Sequence, residues 1–265
     1  MQTQINGITL AYNDQGSGLP IFFLHAFPLN HTMWAEQEKA FSSQFRVVTI
    51  DLRGHGKSDA PLWRYTLDQA ADDVIGLLDH LSIRQAVFVG LSMGGYILFA
   101  LYRKYADRVK GLVLADTRAQ ADTAEGKEAR FQMAQTAYQK GPSAIADIMI
   151  PKLLSPATVQ TNPGLVRHVR AMIEGNQISG IAGDLMAMAE RPDSVTLLKH
   201  ITCPTQIIVG KLDLPTPHSW QIGFPMPAWP SFQPPPIFRT WKSQTPSTIL
   251  YASLLGMRRD NCARR

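Results

Sequence analysis

A chain of 265 residues, 45% hydrophobic and 18% charged, has room for one large domain or a domain with a sizeable insertion, and is too apolar to be disordered. The formal net charge of +5 lies wholly after residue 218, where six Lys and Arg face the single acid Asp260; the body is neutral, so no nucleic-acid partner is expected. The apolar runs 21–24 and 86–89 are far shorter than the ~20 residues that span a bilayer, so no membrane association is expected either.

The first residues carry neither a basic stretch nor an apolar one, so no secretory leader is expected. Cys203 and Cys262 make no disulfide framework and sit in no metal-ligand spacing; the expected setting is a reducing cytoplasm, without a metal.

Along the chain, residues 8–12 read as a short strand, 20–25 as a buried one and 45–51 as a third, rich in β-branched side chains. Residues 66–81 place Leu67, Ala70, Ala71, Val74, Leu77, Leu78 and Leu81 on one helical stripe, with Thr66 as N-cap. A strand over 86–90, a helix over 94–104 and a strand over 109–115 follow. Such alternation predicts an α/β fold, a mostly parallel sheet with helices on both faces. Residues 119–190 break the rhythm with helices only, over 124–139, 144–154, 164–174 and 178–189. A strand returns at 205–210. The expected organisation is a core of 1–118, a helical lid of 119–190, and the core resumed over 191–217.

Chemistry concentrates first at Gly90-Leu91-Ser92-Met93-Gly94-Gly95, with a strand before it and a helix after it. That is the G-x-S-x-G nucleophile elbow in its confirming context, a tight turn that lifts Ser92 above the sheet and requires neighbours without bulk. The second cluster is His25-Ala26-Phe27-Pro28, at the end of an early strand. With these two motifs the sequence resembles the α/β-hydrolase family, whose members carry His-Gly-x-Pro here. The resemblance implies an oxyanion hole built from the Ala26 or Phe27 amide and the Met93 amide. Ala26 stands where the family has Gly, a change that leaves a backbone donor in place. His25 and Phe27 are expected to border the substrate, with His25 favoured as a hydrogen-bonding brace over a catalytic base.

Asp51-Leu52-Arg53-Gly54-His55-Gly56-Lys57-Ser58 is similar to the family's D-x-R-G-x-G-x-S turn, and its expected part is structural, with glycines at positive φ and Asp51 and Arg53 bracing the turn. The strand end 112–118 also resembles the family. Val209-Gly210-Lys211-Leu212-Asp213, with Thr216-Pro217, is similar to the family's G-x-x-D-x-x-T-P and makes Asp213 the triad acid, with Asp116 as the alternative. A serine nucleophile implies acyl transfer, where Asp or Glu would imply dehalogenase or epoxide hydrolase chemistry.

The triad base is missing. Family order is Ser, acid, then His one strand further on, yet after Asp213 the chain has only His218, five residues away and too near the acid's own strand. The resemblance stops at about Pro217. The segment 218–265 holds seven of the 18 prolines and three of the five tryptophans, which fits neither the core pattern nor an ordinary disordered tail.

A shifted reading frame accounts for this break. When each codon is read as the third base of one residue plus the first two of the next, Pro236-Ile237 permits His, and Trp241-Lys242 forces Glu. The recovered string His-Leu-Ser-Asn-Leu-Glu-x-Pro resembles the segment around the family's catalytic histidine. The last strand and helix of the fold are therefore expected to be missing or disrupted.

The sequence thus predicts a cofactor-free serine hydrolase acting on a small carboxylic ester or lactone, crippled by loss of its histidine. Residues 114–118 and the recovered string look closest to 3-oxoadipate enol-lactonase-like members. Cofactor-free haloperoxidases and C–C bond hydrolases of the fold share the same residues. A non-enzymatic binding protein on a hydrolase fold is the rival.

Overall fold

The computed structural model describes residues 1–62 and 64–210. Asp213, His218 and the segment 218–265 lie outside the described residues.

The chain opens with a hairpin of β1 (Gln2–Ile5) and β2 (Ile8–Gln15). Its two-residue turn is Asn6-Gly7, at φ 49° and 78°, the backbone that a tight hairpin of this twist demands. β2 runs past its apolar part into Asn13, Asp14 and Gln15. These residues pair with β4 (Arg46–Ile50), and a bidentate Arg46–Asp14 contact at 2.6–3.2 Å fixes the polar end.

With β3 (Pro20–Leu24), β5 (Ala86–Leu91), β6 (Val109–Ala115) and β7 (Thr205–Ile208), the described residues form a sheet of seven strands in the order β1-β2-β4-β3-β5-β6-β7. β2 pairs antiparallel with both β1 and β4, and the four remaining pairings, from β4 to β7, are parallel. β5 is buried at all six positions, as a strand covered on both faces must be. The chain therefore forms the mostly parallel α/β sheet that the alternation of strands and helices predicts.

α1 (Ala35–Phe41) packs on β4, α2 (Leu67–His80) on α3 (Met93–Tyr105), and α3 on β5 and β6. α2 starts with a capping box in which the Gln69 N–H donates to Thr66 Oγ1 and the Thr66 N–H to Gln69 Oε1, both at 3.1 Å. Such a cap is worth about 1 kcal/mol. The core is continuous from Ile5 to Ile201, with Trp34, Phe22 and Phe88 among its fully buried side chains.

Between β6 and β7 lie α4 (Ala124–Leu153), α5 (Pro156–Thr161), α6 (Pro163–Glu174), α7 (Ile178–Ala189) and the short α8 (Val195–Leu198). Gly141, at φ 79° and ψ 178°, breaks α4 just before Pro142, which is why the sequence reads there as two helices. α4 packs against α6 and α7.

The neck of this insertion is zipped by Ser194 N–H to Ala119 O at 2.8 Å and Ala121 N–H to Asp193 Oδ2 at 3.1 Å. Beside it the buried Asp122 carboxylate receives Arg118 and Arg191, each at 2.8 Å, and Arg130. Burial alone would raise Asp122, but the arginines outweigh it and hold the carboxyl below the usual range. Asp122→Ala would leave Arg191, whose side chain is 3% exposed, with an uncompensated charge. The expected loss is about 3–5 kcal/mol, read as a fall in denaturant midpoint.

Candidate active site

β3 and β5 are parallel neighbours with Leu24 opposite Gly90, and β5 and β6 are neighbours with Leu91 opposite Ala115. The loops that leave these strands therefore emerge side by side at one edge of the sheet, where ligands of open α/β sheets bind. Ser92, the 25–28 loop, the 51–58 turn and Asp116 all lie on that edge. Asp213 lies outside the described residues.

Ser92 joins β5 to α3 at φ 51° and ψ −107°, a strained backbone for a residue with a side chain. The strain is held from both sides. The Ser92 N–H donates to Ala115 O at 2.9 Å, while its carbonyl accepts from the Thr117 hydroxyl at 2.8 Å and the Gly95 N–H at 3.0 Å. A Cβ on Gly94 would lie 2.4 Å from Leu24 O, and one on Gly90 2.6 Å from the Gly94 carbonyl carbon. Both neighbours are backbone and cannot step aside. Gly94→Val is therefore expected to unfold the elbow or lower thermal stability by more than about 3 kcal/mol, as a melting curve would show.

Met93 is the first residue of α3, where a helix leaves its N–H groups without intrahelical partners and its dipole favours negative charge. Across from it, the Ala26 N–H donates to Met33 Sδ at 3.4 Å, so one of the two candidate loop donors is already engaged by sulfur. Phe27, joined to Pro28 by a cis peptide, is the other. Its ring packs edge-on against His55, with centroids 6.1 Å apart.

His25 is fully buried. The Leu52 N–H donates to its Nε2 at 3.1 Å, which places the proton on Nδ1, and Nδ1 donates to Ala26 O at 3.0 Å. Burial pushes its pKa down to about 4, against weaker opposing contacts from Ala26 and Asp51. Both ring nitrogens thus serve backbone, which is the geometry of a brace between two loops.

The 51–58 turn is a built scaffold. Asp51 Oδ1 accepts from the His31 N–H at 2.7 Å and His31 Nδ1 at 2.6 Å, and Oδ2 from the Lys57 N–H at 2.9 Å. Burial raises the Asp51 carboxyl, but these donors together hold it below its ordinary value. Arg53 forks onto Asp73 at 2.6 and 2.9 Å. Gly54 and Gly56 take φ of 84° and 56°.

Asp116 ends β6 at φ 39°. Its N–H donates to Ile208 O at 2.9 Å and its Oδ1 accepts from the Gly210 N–H at 2.7 Å, so it caps the end of β7.

Three residues of this edge make contacts that the sequence does not announce. They are Thr117, which holds the elbow carbonyl, His31, which holds Asp51, and Asn176, which arrives from the helical insertion. Among the described residues no cluster of His, Cys, Asp or Glu is arranged to hold a metal ion, and no helix is long and apolar enough to cross a membrane.

Comparison with known proteins agrees with this geometry. The α/β hydrolase fold profile matches residues 20–141. The 3-oxoadipate enol-lactonase 2 of Acinetobacter baylyi is 32% identical over 193 residues, 73% of this chain and 71% of that protein. The chain belongs to the α/β-hydrolase family. Among solved structures, a thermophilic esterase from Thermogutta terrifontis is 43% identical, with a TM-score of 0.76 over 80% of this chain and 79% of its own. The enol-lactonase from Burkholderia xenovorans LB400 is 32% identical, also at 0.76, over 81% and 82%.

Proposed function

We propose that the chain derives from a serine hydrolase of small carboxylic esters or lactones, with Ser92 as nucleophile. The observation that carries this reading is the elbow itself. A serine held at φ 51° between a buried strand and a helix, with glycines where any Cβ would strike backbone, is maintained against its own strain. The esterase and enol-lactonase likenesses supply the substrate class.

In this reading Ser92 Oγ attacks the substrate carbonyl, and the Met93 and Phe27 amides receive the negative charge that develops on oxygen. Phe27 is preferred over Ala26 because the Ala26 N–H already faces Met33 Sδ. Asp213 orients the base, with Asp116 in reserve. The base itself is the histidine absent from the sequence as it stands, so transfer of the Ser92 proton has no strong acceptor. No cofactor or metal is called for, since acyl transfer needs only nucleophile, base and oxyanion donors. The domain division into core and helical lid, and a cytoplasmic setting, belong to the same proposal.

The test is a panel of γ-lactones, enol-lactones and short p-nitrophenyl esters, offered to the chain with its reading frame restored after residue 217. Turnover of lactones above esters would place it with the enol-lactonases, and the reverse with the esterases. Absence of turnover on all would favour the binding-protein reading.

A further inference from the structure

We propose that Asn176 is a positioning residue through which the helical insertion holds the oxyanion loop in register with the nucleophile elbow. Asn176 sits at the corner between α6 and α7 and is 4% exposed. Its Nδ2 donates to Pro28 O at 2.7 Å, and its Oδ1 accepts from the Gly56 N–H at 2.8 Å. One side chain thus ties the loop after β3 to the turn after β4. The two partners lie 148 and 120 residues away in sequence.

The chemistry suits a primary amide and little else. Pro28 C=O can only accept and Gly56 N–H can only donate, so the two partners fix which way the amide points. Both are backbone groups, so neither can be altered by changing the partner residue's side chain.

The corner cannot slide either. A Cβ on Gly180, in the first turn of α7, would lie 1.8 Å from Gly54 O, and Ser179 Oγ donates to Ala60 O at 3.1 Å. Pro28 follows Phe27 directly, so a shift at the Pro28 carbonyl moves the peptide that carries the proposed oxyanion donor. Loss of that register weakens an interaction made in the transition state, which lowers kcat and leaves KM in place.

The kinetic consequence rests on the ester-hydrolase reading; the clamp itself does not. The full chain, its Asn176→Ala variant and its Asn176→Asp variant are compared by hydrogen–deuterium exchange, and the same three with the frame restored after residue 217 by turnover of p-nitrophenyl acetate. In Asn176→Ala the segments 26–33 and 54–58 are expected to exchange about tenfold faster, with the interior of α3 unchanged. kcat should fall about ten- to a hundredfold at unchanged KM.

Asn176→Asp keeps an acceptor for Gly56 but sets a carboxylate against Pro28 O. It should restore protection at 54–58 while losing as much kcat as alanine. Unchanged exchange in 26–33, an increase spread evenly through α3, or kcat that falls only with the fraction of folded protein would each overturn the proposal. Should the frame-restored parent show no ester turnover at all, the hydrolase reading fails, and exchange alone decides the clamp.

Discussion

Ester hydrolysis by the chain as it stands is expected to be about a million times slower than by a version with the frame restored after residue 217. A serine hydroxyl is a weak nucleophile at neutral pH, and removal of the triad base alone costs about that factor in turnover. The oxyanion donors and substrate binding would still leave about 10³ to 10⁴ over water.

Four of the six described histidines, His25, His31, His55 and His80, offer no ready substitute. His25 uses both nitrogens on backbone, His31 is committed to Asp51, and the His80 ring lies 3.5 Å from Thr3 Oγ1. His55 is buried beside Asp184. Purification of both forms and measurement of kcat on p-nitrophenyl acetate checks the difference. Rates within about tenfold of each other would show that another base, His218 included, serves Ser92.

Stability is expected to peak near pH 6.5 and to fall on both sides, because three buried groups are held neutral. Desolvation pushes His55 down to about 3, with His25 adding to the effect, and His25 itself down to about 4. The unfolded chain takes up those protons below its ordinary histidine pKa of about 6.5, so stability is lost as pH falls through that value.

Asp184 has the opposite sign. Its carboxyl, on the face of α7 that meets His55, Arg53 and Tyr65, is pushed up to about 8 by burial, against the pull of Arg53. The fold keeps a proton that the unfolded chain releases near pH 4, so this contribution is lost as pH rises toward 8. Between pH 4 and 6.5 the two histidines outweigh the one acid.

Above pH 6.5 Asp184 acts alone, over about 1.5 pH units and so about 2 kcal/mol. Asp184→Asn, which cannot ionise, should flatten the alkaline limb and gain most at pH 8 and above. Melting temperatures from pH 4 to 9 for both proteins test this. An alkaline limb of equal slope in the variant would show that Asp184 is already ionised in the fold.

Much of the sheet is legible in the sequence because its strands are short apolar runs and α2 has a clean stripe behind a capping threonine. β6 falls on the residues its pattern marks, and the break in α4 is announced by Gly141-Pro142. Two features escape for different reasons. β1 is only four residues long with a single buried side chain, Ile5, so periodicity cannot find it, although Asn6-Gly7 is a strong hairpin signal. The polar end of β2 reads as a loop because its stability comes from Arg46, a contact 32 residues away.

The site divides in the same way. Ser92 and the 51–58 turn are visible because their chemistry is local: glycines, a strand before, a helix after. The part of Asn176, the hold of Thr117 on the Ser92 carbonyl and the engagement of the Ala26 amide by Met33 are invisible because each depends on a partner brought close only by the fold. Asp213 and the segment after residue 217 lie outside the described residues, so the acid and the lost base rest on pattern alone.

The central claim is that Ser92 is the nucleophile of an acyl-transfer site. A fluorophosphonate probe, applied to the frame-restored protein and mapped by peptide mass spectrometry, tests it most directly. The account predicts a single adduct on the peptide that carries Ser92, absent in Ser92→Ala and slow to form in the chain as it stands. An adduct on another serine, or none on a folded, frame-restored protein, would contradict it.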